Sequence, residues 1–132
     1  DCQFFIETII DRIENGQKSL TNKELLEICQ DSANILSGES NPHFCHELSE
    51  AALNLLIFRK FRKNLNEVEN PSEFVGKNIK LLVSRSPTQT WRSREQISFQ
   101  QFSTPPTIGF LLAHILNIKP TEVVLEPSAG TG

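Results

Sequence analysis

Glu122-Val123-Val124-Leu125-Glu126-Pro127-Ser128-Ala129-Gly130-Thr131-Gly132 joins a short β-branched apolar run to an acidic residue, a proline and a turn of small residues. Such a run reads as a strand, and the turn as a tight loop with a helix expected next. Glycine at 130 and 132 permits positive φ and lets a ligand approach the backbone closely. In an α/β sheet, a loop at the carboxyl end of a strand is a seat for nucleotide-like ligands.

Three ligand chemistries compete for this loop. A phosphate-cradling P-loop needs a lysine directly after its second glycine, and none follows Gly132. A dinucleotide fingerprint needs G-x-G-x-x-G, of which only Gly130-Thr131-Gly132 is visible. The third is adenosyl-methionine. Glu126-Pro127-Ser128-Ala129-Gly130-Thr131-Gly132 resembles the cofactor motif D/E-P-S/A-x-G-T/S-G of DNA N6-adenine methyltransferases.

Upstream, Gln100 to Ala113 reads Q-Q-F-S-T-P-P-T-I-G-F-L-L-A. Thr104 is a natural N-cap and Pro105 a natural first helical residue. Ile108, Leu111, Leu112 and Ile115 follow at helical spacing and predict a buried stripe. Phe102-Ser103-Thr104-Pro105 also resembles the second cofactor motif of the same enzymes, in the order seen when target recognition comes last in the chain. Roughly one helix and a turn separate the two motifs. Thr104-Pro105-Pro106-Thr107 is not the catalytic D/N/S-P-P-Y/F/W motif. It lacks the leading carboxylate, amide or serine and the closing aromatic, and it precedes the glycine loop.

Working outward, the chain has 132 residues, 38% hydrophobic and 22% charged, with no methionine. It begins at Asp1 and stops inside a motif, and so reads as a fragment of something larger. No apolar run approaches a membrane span, and no signal-peptide pattern is present. Cys2, Cys29 and Cys45 form no framework spacing, which suits free thiols and a cytoplasmic location. Residues 1–50 carry a net charge of −7 and residues 51–132 a net charge of +4, together the chain's −3. The acidic half cannot by itself be a DNA surface. Basic residues gather at Arg59-Lys60-Phe61-Arg62-Lys63 and at Arg85, Arg92 and Arg94, where contact with DNA phosphates competes with an ordinary solvated helix face.

The first 85 residues predict about four helices. Phe5, Ile6, Ile9, Ile10 and Ile13 make a helical stripe over Cys2–Asn15, ended by Gly16. Thr21 and Glu24 form a capping box, and Leu20 and Leu25 a hydrophobic staple. Leu25, Leu26, Ile28, Cys29 and Ala33 make that helix's buried side. Ser37 to Pro42 is a polar loop. Asn41-Pro42 opens a third helix, expected to run to Asn64 or Asn66 with Leu48, Ala52, Leu55, Leu56 and Phe58 inward. His43, Cys45 and His46 read as its surface start, too sparse for a metal site. Asn70-Pro71 caps a fourth helix through Val83, with a strand at Ile79–Val83 as the alternative.

Residues 85–132 look like one continuous signature. Pro87-Thr88-Gln89-Thr90, Arg92-Ser93, Glu95-Gln96 and Gln100 to Pro106 are similar to the start of large plasmid- and phage-type proteins that join an adenine-specific methylase to a strawberry-notch-like helicase. Trp91 departs from the basic residue usual there. The resemblance implies S-adenosyl-L-methionine as cofactor and DNA as partner, with a helicase domain in the same chain. It implies cofactor contacts from Phe102, Ser103, Thr104, Pro105, Glu126, Pro127, Ser128, Ala129, Gly130 and Gly132. Catalytic residues are absent from the chain, so it should be inactive alone. The expected architecture is mostly α: a helical bundle over residues 1–85, then the first helix and strand of a truncated Rossmann-like α/β domain over 86–132. The alternative is a helical interaction module attached to a dinucleotide-binding oxidoreductase domain.

Overall fold

The computed structural model describes residues 2–36, 42–87 and 103–127, and, of 32–36, the backbone alone. Helices α1 (Cys2–Asn15), α2 (Asn22–Leu36) and α3 (Pro42–Phe61) come first. A continuous rod follows, made of α4 (Pro71–Phe74), a π-helical turn (Val75–Ile79) and α5 (Lys80–Arg85). The last helix is α6 (Pro106–Leu116).

The stripe on α1 does what its spacing predicts. Phe5, Ile9, Ile10 and Ile13 are buried, mainly against α3 and also against α2. Gly16 ends the helix, its amide returning to Arg12 O at 3.1 Å. A Cβ there would lie 2.3 Å from that same oxygen, so the position has no room for a side chain.

The capping box forms as expected. Glu24 N–H donates to Thr21 Oγ1 at 3.2 Å, and Thr21 N–H donates to Glu24 Oε2 at 2.8 Å. Leu20 and Leu25 are both buried beneath it. Asn70 caps α4 by accepting from Glu73 N–H at 3.1 Å, with Pro71 in the first helical position. The strand alternative at Ile79–Val83 gives way to helix, because Val75, Ile79 and Leu82 share one buried face.

Helix α3 departs from its expected pattern in two ways. It stops at Phe61 and gives way to turns, Arg62 N–H returning to Phe58 O and Asn64 N–H to Phe61 O. Its start is not on the surface: Cys45 and His46 are buried, as is Ser49, whereas Phe58 is 57% exposed. The reason is that α3 is covered by α1 along one side and α2 along another, so a single apolar stripe cannot describe it.

The Rossmann-like expectation is overturned. Among the described residues there is no strand and no sheet. Val123, Val124 and Leu125 are 99%, 59% and 87% exposed in the irregular tail after α6. A strand exists only through ladder bonds to a neighbour, and the described residues provide none for this run.

Helix α6 instead belongs to the helical body. Phe110 stacks on Phe74 with centroids 5.4 Å apart, and Phe74 meets Phe61 edge-on at 5.3 Å. His114 Nδ1 lies 2.6 Å from Leu65 O, and since a carbonyl only accepts, Nδ1 carries the proton. The helix is turned about from its predicted orientation. Phe110 is its buried residue and Leu111 is partly buried, while Ile108, Leu112 and Ile115 are exposed. A helix of eleven residues with apolar groups nearly all round has no unique inward stripe, and the large Phe110 ring takes the core.

Candidate functional site: the ends of α6 and the α1/α3 face

Ser103, Thr104 and Pro105 lead directly into α6 and are exposed. Thr104 does not cap the helix. Pro105 occupies the N-cap position, with no side-chain cap, and Pro106 is the proline of the first turn. The amides of Ile108 and Gly109 both donate to Pro105 O, at 2.9 and 3.0 Å. Pro106 has no N–H, so the first turn offers an anion fewer donors than an ordinary helix start.

Ser103 Oγ donates to Glu50 Oε2 on α3, which fastens the motif segment to the helical body. His46 lies one turn before Glu50 on the same helix. Burial pushes its imidazole below the ordinary value, while the Glu50 charge pulls the other way and His43 adds to the lowering. The contact order is Ser to Glu, not Ser to His. His43 Nδ1 is 3.2 Å from Glu47 Oε1, a helical pair. No three His, Cys, Asp or Glu side chains converge as metal ligands among the described residues.

At the other end, Glu126 and Pro127 lie in the exposed tail beyond a turn in which Lys119 N–H donates to Glu122 Oε2 at 2.6 Å. Helix α6, roughly 16 Å long at 1.5 Å per residue, stands between this end and Ser103. Phe102, Ser128, Ala129, Gly130 and Gly132 lie outside the described residues, as do Trp91, Arg92 and Arg94.

The basic run at the end of α3 is largely committed within the molecule. Arg59 makes a two-pronged pair with Glu7, at 2.9 and 2.8 Å, and Lys60 pairs with Glu14. The Arg59 guanidinium holds Glu7 below the usual carboxylate range, and Glu7 raises Arg59 in turn. Arg62 lies over the Phe58 ring, 5.5 Å from its centroid. Arg85 donates from Nη1 to Glu14 O at 3.0 Å and so caps the carbonyl end of α1. Between α1 and α3 these pairs line a shallow groove of about 400 Å³, together with Ile10, Asp11 and Leu56.

The cysteines correct a further expectation. Cys29 on α2 and Cys45 on α3 are joined by a disulfide, and Cys2 is a free, exposed thiol. Nothing in the spacing of the three announced this pair, nor Glu50 as the partner of Ser103. The first arises from how α2 lies against α3, and the second from where the segment before α6 meets α3. None of the described helices is long and apolar enough to cross a membrane. Comparison with protein-family models, with curated proteins and with solved structures finds no match to this chain.

Proposed function

We propose that this chain contributes part of the adenosyl-methionine site of a cytoplasmic DNA adenine-N6 methyltransferase. The observation that carries the reading is the pair of strings Phe102-Ser103-Thr104-Pro105 and Glu126 to Gly132, in that order, on either side of one helix. What supports the reading in the described members of both strings is that they are solvent-accessible, and a carboxylate such as that of Glu126 attracts a cationic group. Glu126 would hold the cofactor ammonium, and the Ser103–Pro105 segment would line the methionine side. When bound, the cofactor supplies a methyl group on a sulfonium. The target adenine must leave its stack to be reached. The residues that would hold its amino group belong to a D/N/S-P-P-Y/F/W motif, which this chain does not contain. A helicase domain in the same protein is the proposed neighbour.

The test is transfer of labelled methyl from adenosyl-methionine to DNA by the full protein that carries this chain. Label in N6-methyladenine, lost in Glu126→Ala, supports the reading. No transfer and no cofactor binding by calorimetry removes it. The 132-residue chain alone is expected to transfer no methyl to any DNA.

A further inference from the structure

We propose that Cys29 and Cys45 form a reversible thiol–disulfide site that controls how the second half of α2 docks on α3.

The first part of the argument is that the fold does not need the bond. Helix α2 is held at its start by the Thr21–Glu24 capping box, by Leu20 and Leu25, and by the Arg12–Glu24 pair at 3.0 Å. Helices α1 and α3 make the most extensive helix–helix contact among the described residues, and α6 adds Phe110 to the same core. A chain of this length can bury a core without covalent staples. Two reduced thiols at 29 and 45 would sit in that core as small apolar side chains. Both redox states are therefore compatible with a folded protein.

The second part is where the bond acts. It joins the midpoint of α2 to the first turn of α3, across 16 positions of sequence. The capping box, the staple and the Arg12 pair all lie at or before Leu25, one turn or more ahead of Cys29. Of the side chains described past Cys29 on α2, Gln30 and Asp31 are exposed. The disulfide is thus placed to decide whether this half of α2 stays on α3, while the rest of the body stands by itself.

The third part is the chemistry of exchange. Cys45 is fully buried, while Cys29 retains 7% exposure. An incoming thiolate from a small-molecule thiol or a dithiol reductant reaches Cys29 Sγ first. The S–S bond breaks, a mixed disulfide forms at Cys29, and Cys45 leaves as a thiolate that takes up a proton. Its place in the first turn of a 20-residue helix favours the negative charge at that moment. A second thiolate then attacks the sulfur of the bound reductant and releases Cys29 as its thiolate. One disulfide of the reductant is formed for each protein disulfide reduced.

The experiment uses the whole chain, equilibrated with oxidised glutathione or with dithiothreitol, then alkylated and weighed. One alkylated cysteine is expected in the oxidised protein and three in the reduced. Hydrogen exchange on the same samples should show at least tenfold faster exchange on reduction for amides of 28–36 and 43–46. Amides of α1, α5 and α6 should be unchanged. The double variant Cys29→Ala, Cys45→Ala should exchange like the reduced protein under both conditions. Three alkylated cysteines after oxidation would overturn the proposal. So would unchanged exchange on reduction, which would make the bond idle. Unfolding of the whole chain on reduction would overturn it too, since the bond would then be a structural staple.

Discussion

At Glu24, one side chain does two jobs. It accepts the Thr21 amide and hydroxyl at the helix start and pairs with Arg12 across from α1. These contacts, the Thr21 amide first, hold its carboxyl down to about 2 from an ordinary 4.5. A depressed carboxylate stabilises the fold fully above about 4.5, and that contribution is lost as the pH falls toward 2. Thermal midpoints followed from pH 6 to pH 2.5 should therefore fall, and Glu24→Gln should fall less steeply over the same range. Thr21→Ala should cost about 1 kcal/mol in denaturant unfolding at neutral pH, the usual value of a lost N-cap. Phe110 offers a sharper contrast. Phe110→Ala removes a buried ring stacked on Phe74 and should cost about 3–5 kcal/mol. Leu112→Ala, two residues on and 50% exposed, should cost under about 1 kcal/mol, since surface changes seldom exceed ±0.5 kcal/mol. Equal losses at the two positions would mean that α6 is rotated from the orientation described.

At the scale of elements, the basic residues separate into structural and available groups. Arg85 joins α5 to α1: its guanidinium caps Glu14 O, and its own carbonyl accepts Leu20 N–H at 2.8 Å. Ser19 Oγ adds a bond to Ser84 O at 2.9 Å, so the α1–α2 connection is strapped to the end of the rod. Arg85→Ala should therefore destabilise the chain by about 1.5–3 kcal/mol, the range for a hydrogen bond from a charged group. The check is urea unfolding of the variant beside the parent chain. A phosphate-binding role predicts the opposite pattern, with stability kept and DNA affinity lost. The Arg59–Glu7 pair is exposed on both sides, so its contribution should shrink as salt rises. Helix ends were the most legible elements in the sequence. Thr21–Glu24 and Asn70–Pro71 are local devices whose partners lie three residues away, and both form as read. Thr104 fails as a cap because two prolines follow it. Pro105 takes the extended N-cap geometry, with ψ at 134°, and Pro106 takes the first helical turn.

At the scale of the molecule, α6 carries an apolar face on each side. Phe110 and the partly buried Leu111 reach the core, while Ile108, Leu112, Ile115 and Leu116 face outward, next in sequence to the exposed Val123, Val124 and Leu125. A double change of Leu112 and Ile115 to Gln should raise the solubility of the chain and leave its unfolding midpoint nearly unmoved, as checked by light scattering and denaturant titration. The proposed methyltransferase role belongs to this scale as well. It rests on two strings, of which the structure describes Ser103 to Pro105 and Glu126 to Pro127.

The sequence by itself determined whatever depends on near neighbours along the chain. The capping box with its staple, the Asn70 cap and the helix end at Gly16 need only partners within a turn or so, and the α1 stripe is a local periodicity that α3 and α2 then cover. Tertiary structure alone decided which face of α6 turns inward, how far α3 is buried and where Cys29, Cys45, Glu50 and Arg85 find their partners. The outcome at Val123–Leu125 was decided there too, because a strand requires a neighbour's backbone that no local pattern can supply. The physical reason is common to all of these. A periodic pattern says that a face is apolar, but what covers the face depends on groups distant in sequence, and only the packed chain selects among them.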